Sequence, residues 1–348
     1  MGAGTWSLWK VSAILWYNKN MNLKELKNIY RNIPLSEHNT FGIGGKADMF
    51  VDVTTKEELK DAIYLANKEG VPYYILGGGT NTLASDKGFS GLVIKNKIQD
   101  VDFDYEKEHV IAGSGISMGA LLNRAKSKGL SGLEWAAGLP GTLGGAIFGN
   151  AGFIDDSCIA KNIDFVEILD PITLTFKCIP NYDCGFSYRT SNFKKNRFII
   201  TGAMLKLKKE DPVVIMNKMA ENMLFRQNHQ PLSEKSEGCV FKNIYLSERK
   251  DLPLDLWNEI PEFVVFVRKG IVPAGFLIDR AGLKGFRVGG AKVSERHANF
   301  IVNDDNAKAD DIYKLISEIK NKVKEKFKVE LEEEVRCLGF DKKQTANL

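Results

Sequence analysis

Gly-Leu-Pro-Gly-Thr-Leu-Gly-Gly-Ala, residues 138–146, is the stretch of this sequence that says most about its fold. Four of its nine residues are glycine, which allows the backbone to adopt positive φ and to approach a ligand closely. Successive N–H groups in such a loop can form a nest for phosphate, and Thr142 adds a side-chain donor. The stretch therefore predicts either a tight turn or a loop that binds an anionic ligand.

Two more glycine-rich stretches precede it. Residues 77–81, Gly-Gly-Gly-Thr-Asn, follow an apolar strand predicted over 72–76, and residues 113–115, Gly-Ser-Gly, follow a strand predicted over 109–112. One such loop is most simply a turn, but three favour a site for a large phosphorylated ligand. The sequence contains neither a G-x-G-x-x-G fingerprint nor a Walker A loop, which counts against a Rossmann dinucleotide domain and a P-loop enzyme.

The composition is that of an ordinary globular protein. The 348 residues include 48 Lys or Arg and 44 Asp or Glu, so the net charge is only +4, and we expect no nucleic-acid partner. Five cysteines without C-x-x-C spacing and four histidines are poor material for a metal site, and we expect none. The apolar stretch at residues 6–17 is too short to span a bilayer, so we expect no membrane insertion and a cytoplasmic protein.

Short strands alternate with single helices, which predicts an α+β fold. Residues 47–53 alternate like a strand, and residues 56–69 and 309–327 have helical periodicity. A helix is also predicted over Leu23–Tyr30, whereas residues 244–269 fit no obvious element. We divide the chain into an extension of unknown role (1–20), a region of two subdomains (21–85 and 86–210), a second domain (211–330) and a C-terminal segment (331–348).

Three motifs together resemble one known family. Residues 39–45 (Asn-Thr-Phe-Gly-Ile-Gly-Gly), residues 75–81 (Ile-Leu-Gly-Gly-Gly-Thr-Asn) and residues 138–146 are similar to the signatures of the UDP-N-acetylenolpyruvoylglucosamine reductase (MurB) family, which makes UDP-N-acetylmuramate for peptidoglycan. The resemblance runs from about residue 35 to residue 339 and is interrupted at 244–270, which resembles an insertion. The family often has Arg where this chain has Gly42, and a flavin contact could be lost there.

The resemblance implies the FAD-binding fold of the vanillyl-alcohol oxidase (PCMH) type, followed by an α+β substrate domain. It implies FAD, with its pyrophosphate at the glycine loops, and NADPH as the hydride donor. Because no His lies in residues 70–90, we expect the FAD to be non-covalent. The residues expected to bind it are Gly77, Gly78, Gly79, Thr80, Asn81, Gly113, Ser114, Gly138, Pro140, Gly141, Thr142, Gly144, Gly145 and Ala146.

Three separated places match the family's catalytic positions. Arg189, in Tyr-Arg-Thr-Ser-Asn-Phe-Lys (188–194), offers a planar fork for a carboxylate, although an isolated Arg would more often form a surface ion pair. Cys239, in Glu-Gly-Cys-Val-Phe-Lys-Asn (237–243), replaces the family's Ser as proton donor, and an ordinary thiol pKa of about 8.5 would ease proton release. Glu334, in Leu-Glu-Glu-Glu-Val-Arg (331–336), matches the catalytic acid, and Glu333 replaces the family's Pro.

Lys242 and Asn243 match positions expected to touch the UDP-sugar substrate or to support the proton donor, and Tyr188 is expected to bind the substrate. The short spacing between residues 189 and 239 resembles the family form that lacks an additional Tyr-bearing substrate loop. We expect a monomer. The resemblance implies an NADPH-dependent UDP-N-acetylmuramate dehydrogenase. A flavin-dependent oxidase of a sugar or hydroxy acid with the same FAD fold is the alternative, and a non-catalytic nucleotide-binding module is a third.

Overall fold

The computed structural model describes residues 22–153, 157–248, 257 and 261–341. In these ranges the chain forms seven α-helices: α1 (Lys56–Glu69), α2 (Met118–Ser127), α3 (Leu143–Gly149), α4 (Pro212–His229), α5 (Pro261–Lys269), α6 (Ala274–Arg280) and α7 (Ala309–Phe327). The strands are β1 (Ile29–Pro34), β2 (Lys46–Val53), β3 (Tyr73–Leu76), β4 (Thr82–Ala84), β5 (Phe89–Asn96), β6 (Val101–Asp104), β7 (His109–Gly113), β8 (Leu130–Ser131), β9 (Ile163–Asp170), β10 (Thr175–Pro180), β11 (Ile199–Lys206), β12 (Lys208–Lys209), β13 (Ile244–Tyr245), β14 (Ile271–Val272), β15 (Arg287–Val288), β16 (Ala291–Val293), β17 (Ile301–Asn303) and β18 (Arg336–Leu338).

The first sheet has the strand order β1-β2-β5-β3. β1 is antiparallel to β2, whereas β2 and β3 both run parallel to β5. Helix α1 begins after Thr55, whose hydroxyl accepts the N–H of Glu58 at 3.1 Å, and ends at Gly70. It packs its apolar face, with Leu59 and Ile63, on this sheet. β3 therefore delivers residues 77–81 at its carboxyl end.

The second sheet is antiparallel throughout, in the order β10-β9-β11-β7-β6. Helices α2 and α3 share the hydrophobic cluster of this sheet. Helix α3 follows the loop 138–142 directly, and the hydroxyl of Thr142 caps it by accepting the N–H of Gly145 at 3.3 Å. Burial of Leu143 and Ile147 fixes the helix on the sheet and with it the position of the glycine loop.

An ionic contact to a buried carboxylate joins helix α1 to the second sheet. Glu167 on β9 is only 4% exposed; Lys56 of α1 lies 2.5 Å from its carboxylate, and the hydroxyl of Thr201 on β11 donates to it at 2.8 Å. The start of α1 is thus tied to the second sheet. Removal of Lys56 would be costly, because the charge of Glu167 would then be buried without compensation.

The C-terminal part has its own core. Helix α7 buries an apolar face against the sheet β15-β16-β17 and helix α6; its largest members are Ile312, Leu315, Ile316, Ile319, Val323 and Phe327. β18 then returns to the first half of the chain and pairs in parallel with β4, so that Arg336 lies opposite Thr82. The α+β fold class is confirmed, and helices 56–69 and 309–327 have the predicted bounds.

Two sequence expectations are wrong. The predicted helix Leu23–Tyr30 is a single 3₁₀ turn, Leu23–Glu25, followed by β1, because residues from Ile29 onward pair with β2 instead. Asn28 at φ 60° makes the turn between the two. The stretch 244–269 does contain regular elements, β13 and α5, and α5 buries Phe263.

Some segments of the chain lie outside the residues that the structure describes. The predicted extension 1–20 and residues 342–348 lie outside them, and the division into domains stays a prediction. In the described ranges no helix is both long and apolar enough to cross a membrane. In those same ranges no group of three or more His, Cys, Asp or Glu is arranged to hold a metal ion.

Candidate active site

A cavity of about 1430 Å³ lies between the glycine loops and the C-terminal part of the chain. Of the residues predicted to bind the cofactor, all except Gly113 line it, and so do Arg189, Cys239 and Glu334. The sequence candidates for cofactor binding and for chemistry therefore meet in one place.

The glycine loops 77–81 and 138–145 approach each other so closely that side chains do not fit. A Cβ at Gly78 would lie 2.7 Å from the Cα of Gly141, and one at Gly77 would lie 2.7 Å from the hydroxyl of Thr142. A Cβ at Gly141 would likewise lie 2.7 Å from the hydroxyl of Thr80. The cavity wall here consists of bare backbone and small polar groups, which fits a large phosphorylated cofactor such as FAD.

Gly113 has a different position from the other predicted cofactor residues. It lies in β7 opposite Gly202, and a Cβ there would come 2.5 Å from the carbonyl oxygen of Ile98. The close approach of that neighbouring backbone accounts for the glycine. The next residue, Ser114, does line the cavity, and its hydroxyl accepts a hydrogen bond from Asn96 at 2.7 Å.

Arg189 and Glu334 form an ion pair at the cavity wall. Nε of Arg189 lies 3.2 Å from Oε1 of Glu334, and a terminal nitrogen of the guanidinium donates to the carbonyl of Gly152 at 3.0 Å. Arg189 has a φ of 51°, a strained value for a residue with a side chain. Such strain is common where a side chain must be aimed into a functional site.

Cys239 is brought to the same wall by backbone pairing on both sides. It forms an isolated bridge with Phe300, and the N–H of Glu334 donates to the carbonyl of the following residue, Val240, at 2.7 Å. The side chain of Asn299 accepts the N–H of Phe241 at 3.0 Å and donates to its carbonyl at 2.8 Å, and it lies near the thiol, whose pKa it acts to lower. Residues 189, 239 and 334, distant in the sequence, thus share one wall.

The pKa values at this wall favour protonated side chains. Burial raises the pKa of Glu334, although Arg189 and Lys194 oppose the shift. Burial, and then the charge of Glu334, raises the pKa of Cys239 to about 12. The expectation of an ordinary thiol pKa near 8.5 is therefore wrong for this cysteine, since the surrounding protein disfavours the thiolate.

The predicted substrate residues lie behind the wall rather than on it. The hydroxyl of Tyr188 accepts the backbone N–H of Asn243 at 3.1 Å, and Oδ1 of Asn243 accepts the N–H of Ala274 at 3.1 Å. Lys242 is ion-paired with Glu332. None of Tyr188, Lys242 and Asn243 lines the described cavity. The contact of Tyr188 with Asn243 joins the segments that carry Arg189 and Cys239, and the pair of Lys242 with Glu332 joins the segments that carry Cys239 and Glu334.

Most of the charged residues that line the cavity were not assigned a role from the sequence. The lining includes six cations, Arg189, Lys194, Arg197, Arg226, Lys235 and Arg336, against three acids, Glu234, Glu237 and Glu334. This excess suits a ligand that carries phosphates. Arg226 is only 4% exposed and stacks 3.8 Å from the ring centre of Phe153, and burial lowers its pKa to about 10. Arg226 is one of two buried residues of the mostly exposed helix α4, the other being Ile215, and its burial is visible only in three dimensions.

Comparisons with known proteins agree with this geometry. Residues 230–338 match the family model described as the C-terminal domain of UDP-N-acetylenolpyruvoylglucosamine reductase, and residues 47–171 match an FAD binding domain. The reductase of Bacillus subtilis is 35% identical over 322 residues, which cover 91% of this chain and 96% of that relative. The reductase of Caldanaerobacter subterraneus is 37% identical over 318 residues, 91% and 95% of the two chains.

The chain belongs to the UDP-N-acetylenolpyruvoylglucosamine reductase family. The crystal structure of the family's enzyme from Thermus caldophilus superposes with a TM-score of 0.69 at 33% identity, covering 88% of this chain and 98% of that one. The family resemblance, the FAD-binding fold and the use of FAD are thereby confirmed. The roles of the individual site residues stay predictions.

Proposed function

We propose that this chain catalyses the reaction for which its relatives are named, as an FAD-dependent oxidoreductase. Its substrate would be UDP-N-acetyl-3-O-(1-carboxyvinyl)-glucosamine and its product UDP-N-acetylmuramate, with NADPH as reductant. The observation that supports this most is the meeting of Arg189, Cys239 and Glu334 at one wall of a cavity that the glycine loops also line.

The glycine loops 77–81 and 138–145 would hold FAD, which, when bound and reduced by NADPH, would supply the hydride for the terminal carbon of the enolpyruvyl group. Arg189 and Glu334 stabilise the negative charge that then develops on the substrate's adjacent carbon and carboxylate. Arg189 does so as a fixed cation, and Glu334, whose pKa is raised by burial, does so as a donor once it has taken up a proton. Neither group needs to move, since each is held by the contacts described above.

Cys239 delivers the proton that completes the addition across the double bond. Its raised pKa keeps the thiol fully protonated at neutral pH. As the proton leaves, Arg189 and Arg226 stabilise the thiolate, since both act to lower the pKa of this thiol. Tyr188, Lys242 and Asn243 position the donor and the guanidinium through the contacts behind the wall.

The decisive experiment follows the flavin itself. The purified protein should be yellow, should bleach anaerobically with NADPH, and should recover its colour when the enolpyruvyl UDP-sugar is added. A protein that bleaches with a sugar or hydroxy acid and recovers only with oxygen would instead support the oxidase. A colourless protein that takes up no added FAD would contradict both. The monomeric state stays a prediction, which light scattering of the purified protein tests.

A further inference from the structure

The side chain of Asn299 is buried next to the segment that carries the proposed proton donor, Cys239. Asn299 is only 3% exposed and does not line the cavity, whereas Cys239 does. Its Oδ1 accepts the N–H of Phe241 at 3.0 Å, and its Nδ2 donates to the carbonyl of the same residue at 2.8 Å. Its backbone carbonyl accepts the N–H of Val240 at 2.8 Å. Three hydrogen bonds therefore fix the two residues that follow Cys239.

The turn that carries Asn299 is itself held in place. The N–H of Asn299 donates to Nδ1 of His297 at 3.2 Å, and the N–H of Phe300 donates to the carbonyl of His297 at 2.9 Å. The carbonyl of Phe300 accepts the N–H of Ser294 at 2.9 Å, and Phe300 pairs with Cys239 in the isolated bridge described above. Asn299 thus contacts the segment of the donor from a hydrogen-bonded support.

One N–H of the Asn299 amide has no hydrogen-bond acceptor among the described residues. A side-chain amide offers two N–H donors, and the carbonyl of Phe241 takes one of them. The thiol of Cys239 lies near the amide, which acts to lower the pKa of that thiol, as a donor to sulfur does. A hydrogen bond to an ionised acceptor is roughly twice as strong as one between neutral groups. The second N–H therefore has most to gain when the sulfur becomes a thiolate.

We propose that Asn299 is a positioning residue for proton transfer from Cys239. Its side chain holds the backbone that follows the cysteine, and its second N–H donates to the sulfur as the proton leaves. In this step the S–H bond breaks and its electron pair stays on the sulfur, while the electron pair of the substrate carbanion forms the new C–H bond. The proposal rests on the proposed function, because that function makes Cys239 the proton donor.

Two substitutions separate the support of the backbone from the donor to sulfur. Asn299→Asp keeps an oxygen for the N–H of Phe241 and, when protonated, an O–H for its carbonyl, but it has no donor left for the sulfur. Asn299→Leu has a similar volume and makes none of the side-chain hydrogen bonds. Asn299→Asp is also combined with Cys239→Ala, because an effect that acts through the thiol disappears when the thiol is absent.

Two measurements follow the flavin and the thiol separately. Stopped-flow absorbance of the holoprotein gives the rate of flavin reduction by NADPH and the rate of reoxidation by the enolpyruvyl substrate. Mass spectrometry follows the alkylation of Cys239 by iodoacetamide, which reports on the thiolate without any turnover. The melting temperature of each variant is measured as well.

We expect Asn299→Asp to slow reoxidation roughly ten- to hundredfold, the usual effect of losing a hydrogen bond to a charged group, while flavin reduction keeps its rate. The factor should be the same from about pH 6 to about pH 9, and it should shrink to less than about twofold in the Cys239→Ala background. Alkylation of Cys239 should slow roughly three- to tenfold, because fewer thiols are ionised although each thiolate is more nucleophilic. Asn299→Leu should in addition melt below the wild type, because the buried N–H and carbonyl of Phe241 lose their partner.

Reoxidation and alkylation of Asn299→Asp at the wild-type rates would overturn the proposal and leave the proposed function intact. A deficit that appears only as the pH rises would overturn it as well, because it would come from the ionised carboxylate of the variant. So would equal slowing of reduction and reoxidation, or an undiminished effect in the Cys239→Ala background, since the contacts would then be structural. These outcomes hold even where Asn299→Leu does not fold. If Cys239→Ala alone reoxidises at the wild-type rate, the proposed donor is refuted, and the role of Asn299 with it.

Discussion

Replacing the proton donor should separate the two halves of the reaction. Cys239→Ala removes the thiol and leaves the glycine loops and the Arg189–Glu334 pair in place. We expect flavin reduction by NADPH to keep its rate, since the thiol takes no part in it. Reoxidation by the enolpyruvyl substrate should slow by about 10²- to 10⁴-fold, the usual contribution of a positioned general acid. Stopped-flow absorbance of the flavin measures both rates.

The raised thiol pKa makes this prediction quantitative in pH. With a pKa of about 12 for Cys239, about one thiol in ten thousand is ionised at pH 8, compared with about a quarter for an ordinary cysteine. The reoxidation rate should therefore show no loss from thiol ionisation between pH 7 and about 10. Alkylation of Cys239 by iodoacetamide at pH 8 should be on the order of a thousandfold slower than that of free cysteine.

Two control variants sharpen the test. Cys239→Ser keeps a transferable proton and should retain substantial activity, and Cys178→Ala changes an exposed cysteine on β10 and should alter neither half-reaction. Reoxidation of Cys239→Ala at the wild-type rate would refute the assigned donor. A fall in the reoxidation rate near pH 8.5 that disappears in Cys239→Ser would refute the argument that burial holds the thiol protonated.

Three further changes test other contacts. Arg189→Lys should slow reoxidation by substrate but not reduction by NADPH, since one ammonium group does not reproduce the planar guanidinium, which contacts Glu334 and the Gly152 carbonyl through separate nitrogens. Equal slowing of both rates would contradict this. Gly78→Ala should weaken FAD at least tenfold in a fluorescence titration, because its Cβ meets the facing loop, whereas Gly119→Ala, with open space, should bind FAD normally. Lys56→Met should lower the free energy of unfolding in urea by about 3 kcal/mol by stranding the Glu167 charge, and a loss below about 1 kcal/mol would show that the pair is weak.

The sequence predicted well those elements whose own residues determine them. Helix 56–69 carries a Thr cap, an apolar face and a terminal glycine, and its predicted bounds are the observed ones. The Leu23–Tyr30 prediction failed because the partner that decides this segment, β2, lies outside it in the sequence. Strand pairing with distant residues overrides local helix propensity, and no local pattern reports it.

The candidate site shows the same division between local and distant causes. The glycine loops were recognisable because both their residue types and their order are local features of the chain. The raised pKa values of Cys239 and Glu237 were not recognisable from the sequence, because each depends on burial by distant segments. In the sequence, Glu237 follows a polar run from residue 233 and is most simply a solvated acid, whereas in the fold it has no partner.

Asn81 shows how cofactor binding and chemistry are joined in this fold. It was predicted only as a cofactor residue, yet its side-chain amide donates to the carbonyl of Glu334 at 3.0 Å and its own carbonyl accepts the N–H of Arg336 at 3.2 Å. The parallel pairing of β18 with β4 continues from these contacts. The loop predicted to bind the phosphates therefore also fixes the backbone of the proposed catalytic acid, so any displacement of that loop would move both the predicted cofactor site and Glu334.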